Sequence, residues 1–439
     1  MSEGSAVAAR DDGGWAVGDL LDAEFPVHLD ALREAGVEFL TRAFHASGAM
    51  SPDNSVAAVE QLEPFTGGST GRKALLSVRY DAPDATLPTR LFVKFSRDFD
   101  NEARDGGKRQ MATETRFGLL SMRADFPVAV PRCLFADYHL ESGSGLLISE
   151  RIAFGENGIE PHHPKARDYE IDDLREHYDA LVSALARLAG THRAGRFPAH
   201  VMAGFERRPR KPSGRRPAPV TPEQVTGWVE RYADFAARAP QLLPASIRSE
   251  SFLAELRTQA PRSVELATAL RAAQQDAPNL DAFCHWNANI DNAWFWRDGD
   301  GDLACGLMDW GNVGEINLVT ALASALIFTE PDFLVANIGH FLDRFARVFT
   351  EAGGGPLDAA VLERQFALHV VAGGLQWPLG AVPRLERHVG DLDGLEDRFD
   401  PRIADDEFAR TQLHLLTAYL MLWQAFDARR VIDEAEALG

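Results

Sequence analysis

The chain has 439 residues, a length at which a single compact core gives way to two lobes or domains. Apolar residues make up 45% and charged residues 25%, a globular composition that excludes wholesale disorder. The formal net charge of -20 argues against attachment to nucleic-acid phosphates or to an anionic membrane surface. No run approaches the roughly 18 uncharged apolar residues of a membrane span. Cys133, Cys284 and Cys305 are odd in number and widely spaced, which suits buried free thiols rather than a disulfide framework or a zinc site. Residues from Met1 to about Trp15 are small and polar and lack the apolar core of a signal peptide. A soluble, cytoplasmic protein is expected.

Residues 1–27 read as a flexible tail. Apolar positions at helical spacing predict a helix over 28–46. Three strands are expected next, at Val56–Leu62, Ala74–Tyr80 and Thr89–Phe95, with Phe65-Thr-Gly-Gly-Ser-Thr-Gly71 between the first two. A helix follows at about Lys108–Arg123, then strands at Cys133–His139 and Gly145–Arg151. This order predicts a small antiparallel sheet with one helix, closing a first lobe over 28–151.

From Asp173 the pattern turns helical, beginning with Leu174–Ala194, and a larger, mainly helical second lobe is expected over 152–439. Glu206–Pro219 (ERRPRKPSGRRPAP) reads as an exposed basic loop. Strand character returns over 283–309, where two apolar runs flank the turn Arg297-Asp-Gly-Asp-Gly-Asp302. The end of the chain is read as helical, including Phe408–Ala435. The fold class is therefore α+β.

The densest chemical signal is Phe283-Cys-His-Trp-Asn-Ala-Asn-Ile-Asp-Asn-Ala-Trp-Phe-Trp296, followed by Gly306-Leu-Met-Asp-Trp-Gly311. His285, Asn287 and Asn292 stand in the spacing His-x-Asp-x4-Asn, and Asp309 lies 17 residues beyond Asn292. An amide oxygen and a carboxylate flanking a hairpin are hard ligands of the kind that magnesium on ATP requires. This segment resembles the catalytic loop and metal-binding hairpin (283–311) of the family that includes aminoglycoside phosphotransferases, choline kinases and ecdysteroid-kinase-like proteins. The resemblance implies a protein-kinase-like two-lobed fold, with ATP and Mg2+ as cofactors and Asn292 and Asp309 as metal ligands.

Lys94 sits in the apolar strand Leu-Phe-Val-Lys-Phe, in a chain with only five lysines against forty arginines. A buried ammonium without a partner costs several kcal/mol, so an anionic partner is expected. The resemblance makes Lys94 the residue that holds the ATP α- and β-phosphates, oriented by Glu114. It lays the loop Gly67, Gly68, Ser69, Thr70 and Gly71 over the phosphates, and it places the adenine-contacting linker at Glu150 and Arg151. His192, at the end of its helix, reads as packing, and the pair His162-His163 has no metal-ligand spacing.

Two features depart from the family pattern. Asn287 stands where a catalytic aspartate accepts the acceptor's proton, and an amide cannot act as a general base. The acidic stretch that usually follows Asp-Trp is replaced by Gly314-Glu-Ile-Asn-Leu-Val-Thr-Ala-Leu322. Asp291 is the nearby carboxylate that could substitute, although the loop of the resembled family turns it elsewhere. The expected function is phosphate transfer from ATP to a small-molecule acceptor, a hydroxyl or a carboxylate. A nucleotide-binding pseudokinase and another nucleotide-dependent transfer are the alternatives. The apolar runs Gly373–Leu379 and Ala418–Trp423 read first as core, with a pocket for a hydrophobic acceptor as the alternative.

Overall fold

The computed structural model describes residues 14–68, 70–205, 220–275, 280–392 and 394–438. The basic loop at 206–219 and Ser69 lie outside the described residues. The chain divides into two compact units. The first holds the residues up to 159 together with 197–206 and 306–314, and the second holds the remainder. The expected division at 151/152 is thus refined, because two later segments return to the first unit.

The first unit is built on a five-stranded antiparallel sheet of order β3-β4-β5-β7-β6. Its strands are β3 (Val56–Phe65), β4 (Arg72–Tyr80), β5 (Arg90–Phe95), β6 (Cys133–His139) and β7 (Ser144–Glu150). Period-two alternation decides which face each residue meets. Ala74, Leu76 and Val78 of β4 and Leu91, Val93 and Phe95 of β5 are buried in one core, against Phe39, Leu40 and Phe44 of helix α1 (Leu29–Ala46). Lys73 and Lys94 alternate onto the opposite face and are register partners. Helix α2 (Met111–Ser121) covers that second face near β6 and β7, where Met111 packs with Ala136 and Leu147.

The reading of residues 1–27 as a flexible tail needs correction from residue 14 onward. β1 (Trp15–Val17) pairs with β2 (Glu24–Pro26), and Phe25 is fully buried. The buried Asp137 carboxylate holds the connection by accepting the amides of Leu20 at 3.0 Å and Leu21 at 3.2 Å. The Asp19 amide on the Tyr138 carbonyl at 2.9 Å and the buried Phe25 order the segment with it.

The second unit is mainly helical. Helix α3 (Leu174–Arg193) starts at Asp173, whose side chain caps the Glu176 amide, and it buries Leu181, Leu185 and Leu188. The helix Pro331–Glu351 packs along it. β8 (Asp281–Cys284) pairs with β11 (Gly314–Asn317), whereas β9 (Ala293–Arg297) and β10 (Leu303–Leu307) form the expected hairpin. Its turn is closed by Asp298, whose carboxylate accepts the amides of Asp300 and Asp302. The helical stretch expected over Phe408–Ala435 consists of two helices, Glu407–Ala425 and Ala428–Leu438, separated at Asp427 with φ of 50°. Among the described residues, no helix is long and apolar enough to cross a membrane. The three cysteines are buried, and none forms a disulfide among the described residues.

Candidate active site

Within the first unit, three of the anticipated residues meet. The Lys94 ammonium donates to Glu114 Oε1 at 2.6 Å and to Asp309 Oδ1 at 2.7 Å. Burial pulls the Lys94 ammonium down, but the Asp309 and Glu114 carboxylates outweigh it and leave its pKa above the ordinary lysine range. Burial pushes the Glu114 carboxyl up, more than the Lys94 charge pulls it down. Asp309 has φ of 60°, a left-handed conformation that aspartate tolerates better than most residues.

Asp309 is anchored through its neighbour. The Trp310 ring stacks on Phe117 at 3.8 Å between centroids, and its indole N–H donates to the Leu307 carbonyl at 2.9 Å. Phe117 lies one turn after Glu114 on α2, so a single helix positions both carboxylates around Lys94.

The glycine loop between β3 and β4 is held from its carbonyl side. Lys73 donates to the carbonyls of Gly67 and Thr70, each at 3.0 Å. Arg104 donates to Gly71 O at 2.7 Å and to Gly67 O at 3.3 Å, while Asp98 pairs with its Nε at 3.1 Å. Gly71 has φ of 56°, and a Cβ there would stand 2.0 Å from the Phe95 carbonyl oxygen. Burial first, then the charges of Lys94 and Arg104, lower the pKa of Lys73.

Sequence reasoning missed Lys73 and Arg104. For Lys73 the signal was present, since it is one of five lysines and alternates onto the Lys94 face. The amides of Glu150 and Arg151, expected at the adenine linker, are bonded to the carbonyls of Arg132 and Arg90. Glu150 Oε2 also accepts the Arg132 amide.

In the second unit, the segment 285–292 forms its own hydrogen-bonded loop. His285 is fully buried and its Nδ1 accepts the Asn287 amide at 3.1 Å, so it positions the loop. Asn292 donates from Nδ2 to the Asn287 carbonyl at 2.8 Å. Asn289, which sequence reasoning also missed, donates from Nδ2 to Asn287 Oδ1 at 2.6 Å. That bond occupies one of the two acceptor positions of the Asn287 side-chain oxygen. The Asp291 carboxylate is paired with Lys165 at 3.3 Å, and burial raises its pKa more than Lys165 lowers it.

His192 joins α3 to β8 and β11, accepting the Phe283 amide at 3.2 Å and meeting Glu315 at 3.2 Å, the packing role expected of it. The run Ala418–Trp423 is mostly buried core, the first of its two readings, whereas Trp377 is 63% exposed. A broad concavity of about 1880 Å³ on the first unit is lined by Trp15, His28, Arg97 and Phe99 but not by Lys94, Glu114 or Asp309.

No family model matches the chain, and no curated protein matches it. Among solved structures it is similar to small-molecule kinases and phosphotransferases. One is a choline kinase from Cryptosporidium parvum Iowa II, with 12% identity, a TM-score of 0.36, and coverage of 84% of this chain and 91% of that one. Another is a microcompartment-associated aminopropanol kinase, with 11% identity, a TM-score of 0.40, and coverage of 90% and 98%. A third is an aminoglycoside phosphotransferase from Streptomyces rimosus in complex with ADP and streptomycin, with 18% identity, a TM-score of 0.31, and coverage of 72% and 92%. Identities and scores of this size leave the case for function with the residues themselves.

Proposed function

We propose that this chain is an ATP- and Mg2+-dependent, kinase-like phosphotransferase acting on a small-molecule acceptor. The observation that carries the reading is the Lys94 ammonium held between Glu114 and Asp309, on the sheet face that also carries Lys73 and below a glycine loop. Two lysines directly opposite on neighbouring strands repel, and a polyphosphate over that face would relieve the repulsion. The carbonyls of Gly67, Thr70 and Gly71 are tied to Lys73 and Arg104, and the Gly71 amide donates to the Arg104 carbonyl at 3.4 Å, so the amides of Gly67, Gly68 and Thr70 would be the loop groups that meet phosphate oxygens.

Asp309 and Asn292 each carry an oxygen of the type that magnesium takes. Asp309 offers a carboxylate whose side chain is 55% exposed, and Asn292 offers Oδ1 because Nδ2 is committed to Asn287. Bound there, the ion would neutralise charge developing on the transferred phosphoryl group. Lys94 would hold the α- and β-phosphates, and Glu114 would keep Lys94 aimed.

Asn287 sets the acceptor chemistry. Its Oδ1 already accepts one hydrogen bond from Asn289, and its NH2 can donate. Such a donor can orient a carboxylate or a hydroxyl oxygen but removes no proton. Transfer to a hydroxyl must therefore release its proton to phosphate oxygen or water, at a cost of about 10²–10⁴ in rate. A carboxylate acceptor has no proton to lose and would give an acyl phosphate. The same clasped Asn287 favours a second reading, a nucleotide-binding pseudokinase. ATP turnover with magnesium across alcohol, amine and carboxylate acceptors decides between them. Acceptor-dependent ADP release supports the enzyme, and ATP binding without turnover on any acceptor supports the pseudokinase.

A further inference from the structure

The second unit gathers a glutamate and two histidines, none of them assigned to nucleotide above. Glu160 Oε2 lies 3.0 Å from His163 Nε2 and 2.8 Å from His177 Nε2, and the three atoms all fall within 4.8 Å of one another. Glu160 is fixed by its own amide, which donates to the Phe295 carbonyl of β9 at 2.9 Å. Both imidazoles pack edgewise on the Phe295 ring, at 5.7 and 4.8 Å between centroids. The side chains of Glu160, His163 and His177 are 29%, 19% and 7% exposed, so the cluster is sheltered yet reachable from solvent.

The proton inventory of His177 is informative. Its Nδ1 lies 2.8 Å from the Asp173 carbonyl oxygen, which can only accept, so Nδ1 carries the hydrogen. In the neutral ring the Nε2 lone pair then faces the lone pairs of Glu160 Oε2. Two acceptors at 2.8 Å require a cation between them, either a proton or a metal ion. An imidazole with one nitrogen on a backbone carbonyl and the other aimed at a carboxylate oxygen has the outer support that metal-bound histidines use.

We propose that Glu160, His163 and His177 form a binding site for a divalent transition metal of the Zn2+ class. Two nitrogen donors and one oxygen suit Zn2+ or Co2+ and disfavour Mg2+, which takes oxygen ligands. Three protein ligands leave a further coordination position for water or a small anion. At metal–ligand bonds of about 2.1 Å, the edges of a tetrahedral site measure about 3.4 Å, so the present contacts open by about half an ångström on binding. Metal ligation uses neutral imidazoles and an ionised carboxylate. The ion would tie the segment around Glu160 to the start of α3.

The site is tested on the full chain, stripped with chelator and titrated with Co2+. One equivalent should produce the visible ligand-field bands of a low-coordinate Co2+ site, and Zn2+ should abolish them. His163→Gln and Glu160→Gln, each checked for folding by circular dichroism, should weaken Co2+ binding by about a hundredfold or more. Asp309→Ala should leave the bands unchanged, since that residue belongs to the proposed nucleotide site. Absence of bands in the parent chain overturns the proposal, whatever the variants do. Bands that persist in folded His163→Gln and Glu160→Gln, or vanish in Asp309→Ala, overturn it as well.

Discussion

Lys94 and Asp309, 215 positions apart in the chain, meet at 2.7 Å through Nζ and Oδ1 within one folding unit. The segment 306–314 returns to the sheet unit to make this contact, and the Trp310–Phe117 stack holds it there. Glu114 completes the arrangement at 2.6 Å, so that one buried ammonium serves two carboxylates.

Removing the cation should therefore be expensive. Lys94→Met leaves Glu114 buried without its counter-charge, a change that costs about 3–5 kcal/mol. Glu114→Gln in the same chain should recover part of the loss. Urea unfolding of the two single variants and the double variant measures the coupling. Additive losses would mean that the pair contributes no mutual stabilisation.

The glycine loop offers a backbone test. Gly71→Ala forces an L side chain into φ of 56° and drives its Cβ against the Phe95 carbonyl oxygen. The expected cost is about 1–3 kcal/mol, with β4 and the loop displaced. Gly48→Ala, which has φ of 75° but open space around its Cβ, should cost less. Equal losses in the two variants would show that only the dihedral matters.

Asn287→Asp probes the acceptor chemistry. Asn289 can donate to an aspartate at 287 as it does to the asparagine, so the new carboxylate should keep its place. A hydroxyl-directed enzyme should gain an order of magnitude or more in rate, within the roughly 10²–10⁴ range of a general base. A carboxylate-directed enzyme should lose activity through like-charge repulsion. Steady-state rates on both acceptor classes distinguish the two outcomes, and zero turnover in both forms selects the pseudokinase.

Asp168 predicts a pH effect on stability. Burial, offset in part by a hydrogen bond from Tyr178 and reinforced by Glu330, pushes its carboxyl up to about 7. An unfolded aspartate ionises near pH 4. Between these values the native chain keeps a proton that the unfolded chain releases, so this group's contribution falls as pH rises and levels off above about 7. Asp168→Asn removes the titration while still accepting from Tyr178. Its melting temperature relative to the parent should climb between pH 4.5 and 7.5 and then level off. A pH-independent difference would show that Asp168 does not hold its proton.

The strands and helices that position the candidate site were legible because their signals are local. Alternating or clustered β-formers marked β4, the preceding turn marked β5, and apolar residues recurring at three and four marked α3. Lys94 and Glu114 were legible through a rare lysine in an apolar strand and a resemblance in motif. What escaped was carried by long-range contacts. The β1–β2 pair depends on Asp137, more than a hundred residues away, and the loop staple depends on Arg104. The cluster of Glu160, His163 and His177 joins two segments by a spacing with no recognisable signature, and sequence reasoning dismissed His163 for that reason. The break at Asp427 rests on a left-handed backbone that nothing in the surrounding helical pattern announces.

The central claim, that Lys94 and Asp309 belong to a nucleotide site, is tested most directly by calorimetry of Mg–ATP binding to the parent, Lys94→Ala and Asp309→Ala chains. Asp309 is half exposed, so its variant should fold as the parent does, and the melting temperature of each chain is checked first. One Mg–ATP should bind per parent chain. Binding should weaken at least about tenfold in each variant, the equivalent of a lost charge-assisted contact of about 1.5–3 kcal/mol. In Asp309→Ala the loss should shrink when magnesium is omitted. Folded variants that bind Mg–ATP as tightly as the parent, or a parent that binds none, would contradict the claim.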